Sequence, residues 1–218
     1  MMIPMVLVAA IGLLVGLIKA EKTADPKKIL AFKTPLSLLF ILAWALQPAQ
    51  NPSFAGLILI ALVFCLGGDV LLALGSQKTF LAGLVSFLLG HVMYAAAFFT
   101  VVTVGRAMAA ATVVLMAVAV WVWRWLEPHL GEMQTPVLAY IVIISIMVCS
   151  AAGLAANPKV PDAAQLTILT GAIRFFISDL FVAWQRFVAD AHVNRQIGLP
   201  LYYAGQFLLA FSAAWVPS

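Results

Sequence analysis

Long apolar stretches separated by short polar segments make up almost the whole chain. A membrane-spanning helix needs about 20 predominantly apolar residues, and each stretch is close to that length. Because the intervening segments are short, consecutive helices are expected to lie antiparallel in one all-α bundle, a single integral membrane domain over residues 1–218. The pattern predicts eight spanning helices, over Met2–Lys19, Ile29–Leu46, Phe54–Leu74, Phe80–Val104, Met108–Leu126, Thr135–Ala156, Ala163 to about Ala189, and Ile197–Val216.

The composition supports the membrane class. Hydrophobic residues make up 65% of the 218 positions and charged residues 9%, far from the averages of soluble proteins. The first apolar stretch is followed by lysines and by no small-residue cleavage site, so we predict that it is a helix and not a cleaved signal. The formal net charge of +4 gives no case for nucleic-acid binding. Cys65 and Cys149 lie in apolar stretches and are expected to be unpaired core residues.

Lysines and arginines are unevenly divided between the two sets of connecting segments. One set carries only Arg106 and Lys159. The positive-inside rule therefore places both termini on the non-cytoplasmic side of the membrane and the first connection in the cytoplasm. We expect a multi-pass protein of the cell inner membrane. The basic residues of the richer set are Lys19, Lys22, Lys27, Lys28, Lys78, Arg124, Arg186 and Arg195, with Lys33 just inside the second helix.

Several polar side chains interrupt the apolar stretches at similar depths. At about 1.5 Å per residue, those inside the helices lie up to roughly 17 Å from the cytoplasmic end. They come from six of the predicted helices, and we therefore predict a polar chamber in the cytoplasmic half of the bundle. The residues are Lys33, Asp69, His91, Tyr94, Tyr140, Asp179, Arg186, Tyr203 and Gln206.

Asp69 and Asp179 are the strongest functional candidates of this set. A carboxylate inside a membrane span is costly unless it is protonated, partnered or functional. The three histidines are too scattered for the usual spacing of a metal site, so we predict neither metal nor cofactor. One ligand set, His91 with both aspartates, stays open.

The other polar residues each have a structural alternative. Lys33 can extend to the membrane surface, and Arg186 can pair with Asp190 one helical turn later. His91 can be a hydrogen-bonded core residue. The remaining side chains can simply link helices by hydrogen bonds; these are Tyr140, Tyr203 and Gln206.

Four segments together resemble the YhhN-like family, to which animal lysoplasmalogenase belongs. They read GGDVLLAL (67–74), FLAGLVSFLLGHVMYAAAF (80–98), GAIRFFISDLFVAWQRF (171–187) and YYAGQFLLA (202–210). A G-D, a G-H-x-x-Y and an S-D on three different helices form a specific combination. The resemblance covers the second to the eighth predicted helix. Arg174 departs from the pattern, which has an aliphatic residue there.

The resemblance implies hydrolysis of the vinyl ether bond of a lysoplasmalogen, with release of a fatty aldehyde and a glycerophospho head group. It carries over Asp69 and Asp179 as the catalytic pair, with His91, Tyr94 and Ser178 around them. The implied partners are a lysophospholipid substrate and membrane lipid, and a related lysolipid stays open as the substrate. Neither the sequence nor the resemblance predicts an oligomeric state.

Vinyl ether hydrolysis needs an acid that protonates carbon, an anion that stabilises the resulting oxocarbenium ion, and a base that takes a proton from the attacking water. We expect Asp179 to be the protonated acid and Asp69 the carboxylate, although the reverse assignment is open. Lys33 and Arg186 are expected to bind the lipid phosphate. The other predicted substrate-binding residues are Tyr140, Ser178, Tyr203 and Gln206.

A different class of function also fits buried ionisable groups. Proton-coupled transporters carry protons on intramembrane carboxylates. The sequence has no visible inverted repeat and no matching pair of interrupted helices, which are typical of many transporters. The transporter is therefore the alternative, and the hydrolase is the prediction.

Overall fold

The computed structural model describes residues 2–217, and within that range the chain is helical and contains no strand. This confirms the all-α prediction. A 3₁₀ turn, Gly131–Met133, joins α5 to α6, and a π-helical turn, Trp184–Val188, extends α7. The α-helices are α1 (Met2–Glu21), α2 (Pro26–Ala45), α3 (Pro52–Ala73), α4 (Gln77–Phe99), α5 (Arg106–Leu130), α6 (Gln134–Leu154), α7 (Asp162–Ala183) and α8 (His192–Ser212).

Six helical segments of the described chain are long and apolar enough to cross a membrane. They are α1, α2, α3, α4, the segment Arg106–Leu154 that joins α5 and α6, and the segment Asp162–Val188. The more polar α8 is not among them. These segments are typical of a multi-pass membrane protein, while the number of eight spans remains a prediction.

Three helices, α2, α3 and α4, begin at polar residues whose side chains accept hydrogen bonds from free backbone N–H groups. The Asp25 side chain accepts a hydrogen bond at the start of α2, and Pro26 occupies the first turn. Asn51 and Pro52 begin α3 in the same way, and Ser76 caps α4. Caps and early prolines are favoured because first-turn N–H groups have no partner inside the helix. The apolar pattern alone places these starts a few residues too late.

Six helices, α2, α3, α4, α6, α7 and α8, enclose the centre of the bundle. The most extensive contacts are those of α3 with α4 and of α7 with α8, and α2 and α6 complete the ring. Two helices pack outside it, α1 against α2 and α8, and α5 against α6. These outer helices expose apolar side chains such as Ile11 and Val113, as expected for surfaces that face lipid.

Small residues allow α7 and α8 to approach closely. A Cβ atom on Gly205 would lie 3.0 Å from the backbone oxygen of Gly171 and 3.3 Å from the backbone nitrogen of Phe175. Helix pairs in membranes depend on such close van der Waals contact. Because lipid tails are as apolar as leucine side chains, the hydrophobic effect does not drive the helices together.

Polar contacts tie the helix connections together at both ends of the bundle. At one end, which we call the first-loop end, Arg195 of α8 hydrogen-bonds Glu21 of α1, and Arg186 hydrogen-bonds Gln77 of α4. The opposite end has the bond from Asn51 Nδ2 to the Pro217 oxygen, 3.1 Å long. The chain segments at the first-loop end are 22–25, 74–76, 131–133 and 189–191.

We predict that Gly205→Ala lowers the free energy of unfolding by about 1–3 kcal/mol, because the new methyl group meets backbone atoms of α7 that cannot move independently. The measurement is thermal or denaturant unfolding in detergent. The control is Gly56→Ala in α3, where a Cβ atom meets nothing within 4 Å and the stability should be unchanged or slightly higher. Equal stability of the two variants would contradict the close α7–α8 packing.

Candidate active site

A cavity of about 590 Å³ extends from the first-loop end into the bundle. This volume lies within the range of about 300–1,000 Å³ typical of small-molecule sites. We call it the inner cavity. Its wall is mainly apolar and includes Leu84, Phe87, Ile144 and Phe176. The polar side chains set in this wall include Lys33, Asp69, Tyr140, Ser178, Asp179, Arg186 and Tyr202.

Asp69 of α3 lies deep in the inner cavity and is 1% exposed. Its Oδ1 atom is 3.2 Å from the Nζ atom of Lys33 in α2. Its Oδ2 atom accepts hydrogen bonds from Ser37 Oγ at 2.6 Å and from Tyr202 OH at 2.7 Å. An ammonium and two hydroxyls therefore surround the carboxyl group. Both of its oxygens have polar partners, which offsets the cost of burying them in the apolar bundle.

The Ser37 hydroxyl connects Asp69 to a second tyrosine of α8. Tyr203 OH lies 3.2 Å from Ser37 Oγ. When Ser37 donates to Asp69, its oxygen accepts from Tyr203, and the three groups form a chain. Tyr203 is thus placed behind the carboxyl group and does not line the inner cavity.

Asp179 of α7 has a different set of neighbours. Its Oδ2 atom accepts from Tyr140 OH at 2.7 Å and lies 3.2 Å from His91 Nε2. His91 Nε2 is also 2.9 Å from Tyr140 OH. The side chain of Asp179 is 17% exposed, whereas His91 is fully buried. Asp179 therefore faces the inner cavity, and His91 supports it from behind.

Met147 limits the proton positions of His91. The Nδ1 atom of His91 lies 3.3 Å from the Met147 sulfur, which is a weak acceptor and carries no proton. Nδ1 gains a hydrogen bond there only when it is protonated. In the neutral imidazole, Nε2 is then an acceptor, and it can take a hydrogen bond either from Tyr140 or, when Asp179 carries a proton, from Asp179.

Aromatic rings contact the hydrogen-bond partners of both carboxyl groups. The ring of Phe175 is 4.4 Å from His91 and 5.3 Å from Tyr202, measured between centroids. Phe87 contacts both Phe175 and Tyr202, with edge-to-face geometry. Each carboxyl group thus has its own polar partners, although both line one inner cavity.

Arg186 lies at the mouth of the inner cavity. It donates to Gln77, and its guanidinium carbon is 4.3 Å from the centroid of the Phe80 ring. These contacts join α4 to the turn after α7 and replace the alternative pairing with Asp190, whose carboxylate accepts from Gln185.

The structure brings most of the predicted residues to the inner cavity but not all of them. Lys33 is 7% exposed and ion-paired, so the alternative in which it extends to the membrane surface is wrong. Ser178 lines the inner cavity, but its hydroxyl donates to the Phe175 oxygen within α7. Tyr94 is fully buried, donates to Gln206 at 2.6 Å, and lies outside the lining together with Gln206.

Sequence reasoning missed several residues of the site. Tyr202 and Ser37 both donate to Asp69, and the tyrosine pair at 202–203 was a signal that either one could face the inner cavity. Met147 had no signal, since a methionine in an apolar stretch is ordinary. Glu21 and Arg195 were visible as charges at helix ends, and they pair across the mouth.

The two cysteines are buried and unpaired, as predicted. Within residues 2–217, no group of three His, Cys, Asp or Glu side chains is arranged to hold a metal ion. The ligand set of His91 with both aspartates is therefore not assembled in this structure.

Comparisons with known proteins agree with the motif resemblance. The sequence profile of the YhhN family matches residues 29–213. A protein named lysoplasmalogenase TMEM86A from Bos taurus is 33% identical over 178 residues, which are 80% of this chain and 72% of the relative. A lysoplasmalogenase from Mycobacterium bovis is 30% identical over 180 residues, 80% of this chain and 64% of the relative.

A bacterial relative has no activity in its name. The uncharacterized membrane protein YhhN of Escherichia coli O157:H7 is 28% identical over 178 residues, 82% of this chain and 84% of the relative. No solved structure matches the chain. The family match extends from α2 to the end of α8 and includes both carboxyl groups of the inner cavity. The chain therefore belongs to the YhhN family and is a multi-pass membrane protein.

Proposed function

We propose that this protein hydrolyses the vinyl ether bond of lysoplasmalogen, or of a closely related lysolipid, in the membrane. The names of the mammalian and mycobacterial relatives support this activity. The structural observation that carries the proposal is the presence of two carboxyl groups, from α3 and α7, in one largely apolar cavity. Such a cavity suits an alkenyl chain, and its polar residues suit the reaction.

The reaction begins with proton transfer to the carbon beta to the ether oxygen. A new C–H bond forms from the π electrons, and an oxocarbenium ion results. Water adds to the adjacent carbon and loses a proton to a base, which gives a hemiacetal. The hemiacetal hydroxyl then loses its proton as the C–O bond to glycerol breaks, the glycerol oxygen takes a proton, and a fatty aldehyde leaves. The chain must supply an acid, a base and an anion for the cation.

Asp179 is the proposed acid. Its side chain is open to the inner cavity, and its contacts with Tyr140 and His91 both fall on Oδ2. Within the described chain this leaves Oδ1 as the atom that can carry a proton toward substrate. His91, with Nε2 facing the carboxyl group, is the proposed residue that exchanges a proton with Asp179 between turnovers.

Asp69 is the proposed carboxylate. Three donors, from Lys33, Ser37 and Tyr202, converge on it, and this environment suits an acceptor-only carboxylate. It would stabilise the oxocarbenium ion and accept the proton of the attacking water. Lys33 would balance the charge of Asp69, and Arg186, at the mouth, would contact the lipid phosphate.

We also propose an orientation with eight spans and both termini outside, in the cell inner membrane. Although α5 and α6 form one apolar segment, they pack against each other, which supports a separate crossing for each. The 21 residues of α8 extend about 31 Å, and its polar residues Asn194 and Gln206 are buried in the bundle. The first-loop end, which carries most of the basic residues, would face the cytoplasm.

Asp179→Asn and Asp69→Asn should each lower kcat by about 10²–10⁴-fold, because an amide neither protonates carbon nor accepts the proton of water at these positions. Aldehyde release from lysoplasmalogen by purified protein is the measurement. Asp162→Asn, an exposed carboxylate at the start of α7, is the control and should keep the full rate. A parent-like rate in either cavity variant would remove that residue from the mechanism.

Tyr140→Phe should reduce kcat roughly tenfold with little change in KM, because the lost hydroxyl contacts Asp179. Steady-state kinetics of aldehyde release separates the two parameters. If KM rises while kcat stays constant, Tyr140 binds substrate and does not position the acid.

The proposed orientation predicts the labelling of single cysteines by a membrane-impermeant thiol reagent. Lys159→Cys, in the connection of α6 and α7, should react in intact spheroplasts. Lys27→Cys, at the first-loop end, should react only after the membrane is opened. The two native cysteines are buried and should add little background. The opposite result would invert the orientation.

A further inference from the structure

A second cavity of about 510 Å³ adjoins the mouth of the inner cavity. We call it the outer cavity. It shares Glu21, Ala24, Asp190 and Arg195 with the inner cavity, so a single molecule can occupy both. Its lining residues are Glu21, Lys22, Ala24, Asp190, His192 and Arg195.

The outer cavity carries charges of both signs. Glu21 is 7% exposed and is hydrogen-bonded to Arg195 across the α1–α8 contact. Asp190 and Lys22 are exposed at its edge. The Nε2 atom of His192 is buried and has no hydrogen-bond partner among the described residues. A buried ring nitrogen without a partner is costly, and it marks a position that a polar ligand group can satisfy.

We infer that the outer cavity binds the zwitterionic head group of the lysolipid and selects a primary ammonium, as in phosphoethanolamine. Arg195, Lys22 and His192 would bind the phosphate together with Arg186 of the adjoining mouth. The phosphate would lie next to the N-terminus of α8, whose backbone N–H groups favour an anion. Glu21 and Asp190 would bind the ammonium. The inference rests on the proposed function, which places the alkenyl chain in the inner cavity.

The preference for a primary ammonium follows from the residues that line the outer cavity. A primary ammonium donates three hydrogen bonds, and carboxylates are the acceptors that match them. A trimethylammonium has no N–H group and is bound by aromatic side chains through cation–π contacts. The residues that line the outer cavity include two carboxylates and no Phe, Tyr or Trp.

The test uses 1-O-alkyl lysolipids, which lack the vinyl double bond and are not cleaved. Binding to the full-length protein in nanodiscs is measured for four head groups: phosphoethanolamine, its N-methyl and N,N-dimethyl forms, and phosphocholine. Affinity should fall with each methyl group that replaces an N–H, to a total of roughly tenfold or more. A flat series, or tighter binding of phosphocholine, would overturn the inference.

Two variants test the carboxylates separately. Asp190→Asn leaves the Glu21–Arg195 pair intact, whereas Glu21→Gln breaks it and can also loosen α1. At least one should bring the affinities for phosphoethanolamine and phosphocholine closer together. The control Glu132→Gln, an exposed carboxylate at the same end of the bundle, should keep the difference. An unchanged difference in both cavity variants would refute the assignment.

The two proposals fail independently. If lysoplasmalogen is not cleaved but affinity still falls with each added methyl group, the proposed activity is wrong and the outer cavity still binds a primary ammonium. If lysoplasmalogen is cleaved and the series is flat, only the head-group assignment is wrong.

Discussion

Two carboxyl groups lie inside a bundle that is otherwise built to face lipid, and the cost of burying them determines much of the interior. A buried carboxyl group without hydrogen-bond partners would destabilise the fold. Asp69 is therefore surrounded by Lys33, Ser37 and Tyr202, and Asp179 by Tyr140 and His91. These partners come from four helices, α2, α4, α6 and α8, so satisfying the two carboxyl groups of α3 and α7 also fixes how the six helices of the ring face one another.

The two environments differ in the groups that surround each carboxyl. Asp69 has a cation and two hydroxyl donors and is almost inaccessible, while Asp179 is open to the inner cavity and lies against an imidazole. Phe175 contacts His91 beside Asp179 and Tyr202 beside Asp69, and Phe87 also contacts Tyr202. Paired carboxyl groups in unlike environments can divide the acid and base roles of one reaction.

The inner and outer cavities together form a site whose lining changes from apolar to charged toward the first-loop end. Apolar walls lie deep in the bundle, and most of the charged groups, among them Glu21, Arg186 and Arg195, lie toward the first-loop end. An amphiphile with one chain and one polar head matches this gradient, since its chain gains from apolar surroundings and its head from charged ones. The family match begins within α2, yet Glu21 of α1 contributes to the mouth.

The sequence by itself determined the helical class and the membrane setting. It also identified the candidates Asp69, Asp179 and His91, because burying an ionisable group in an apolar span is costly and such groups are therefore rare there. It also gave depth along each helix, through the fixed rise per residue. It did not determine how each helix is rotated about its own axis, and that rotation decides which side chains of neighbouring helices meet. Only the tertiary structure paired Tyr94 with Gln206 away from the inner cavity and turned Tyr202 toward Asp69, since those contacts depend on packing between helices distant in sequence.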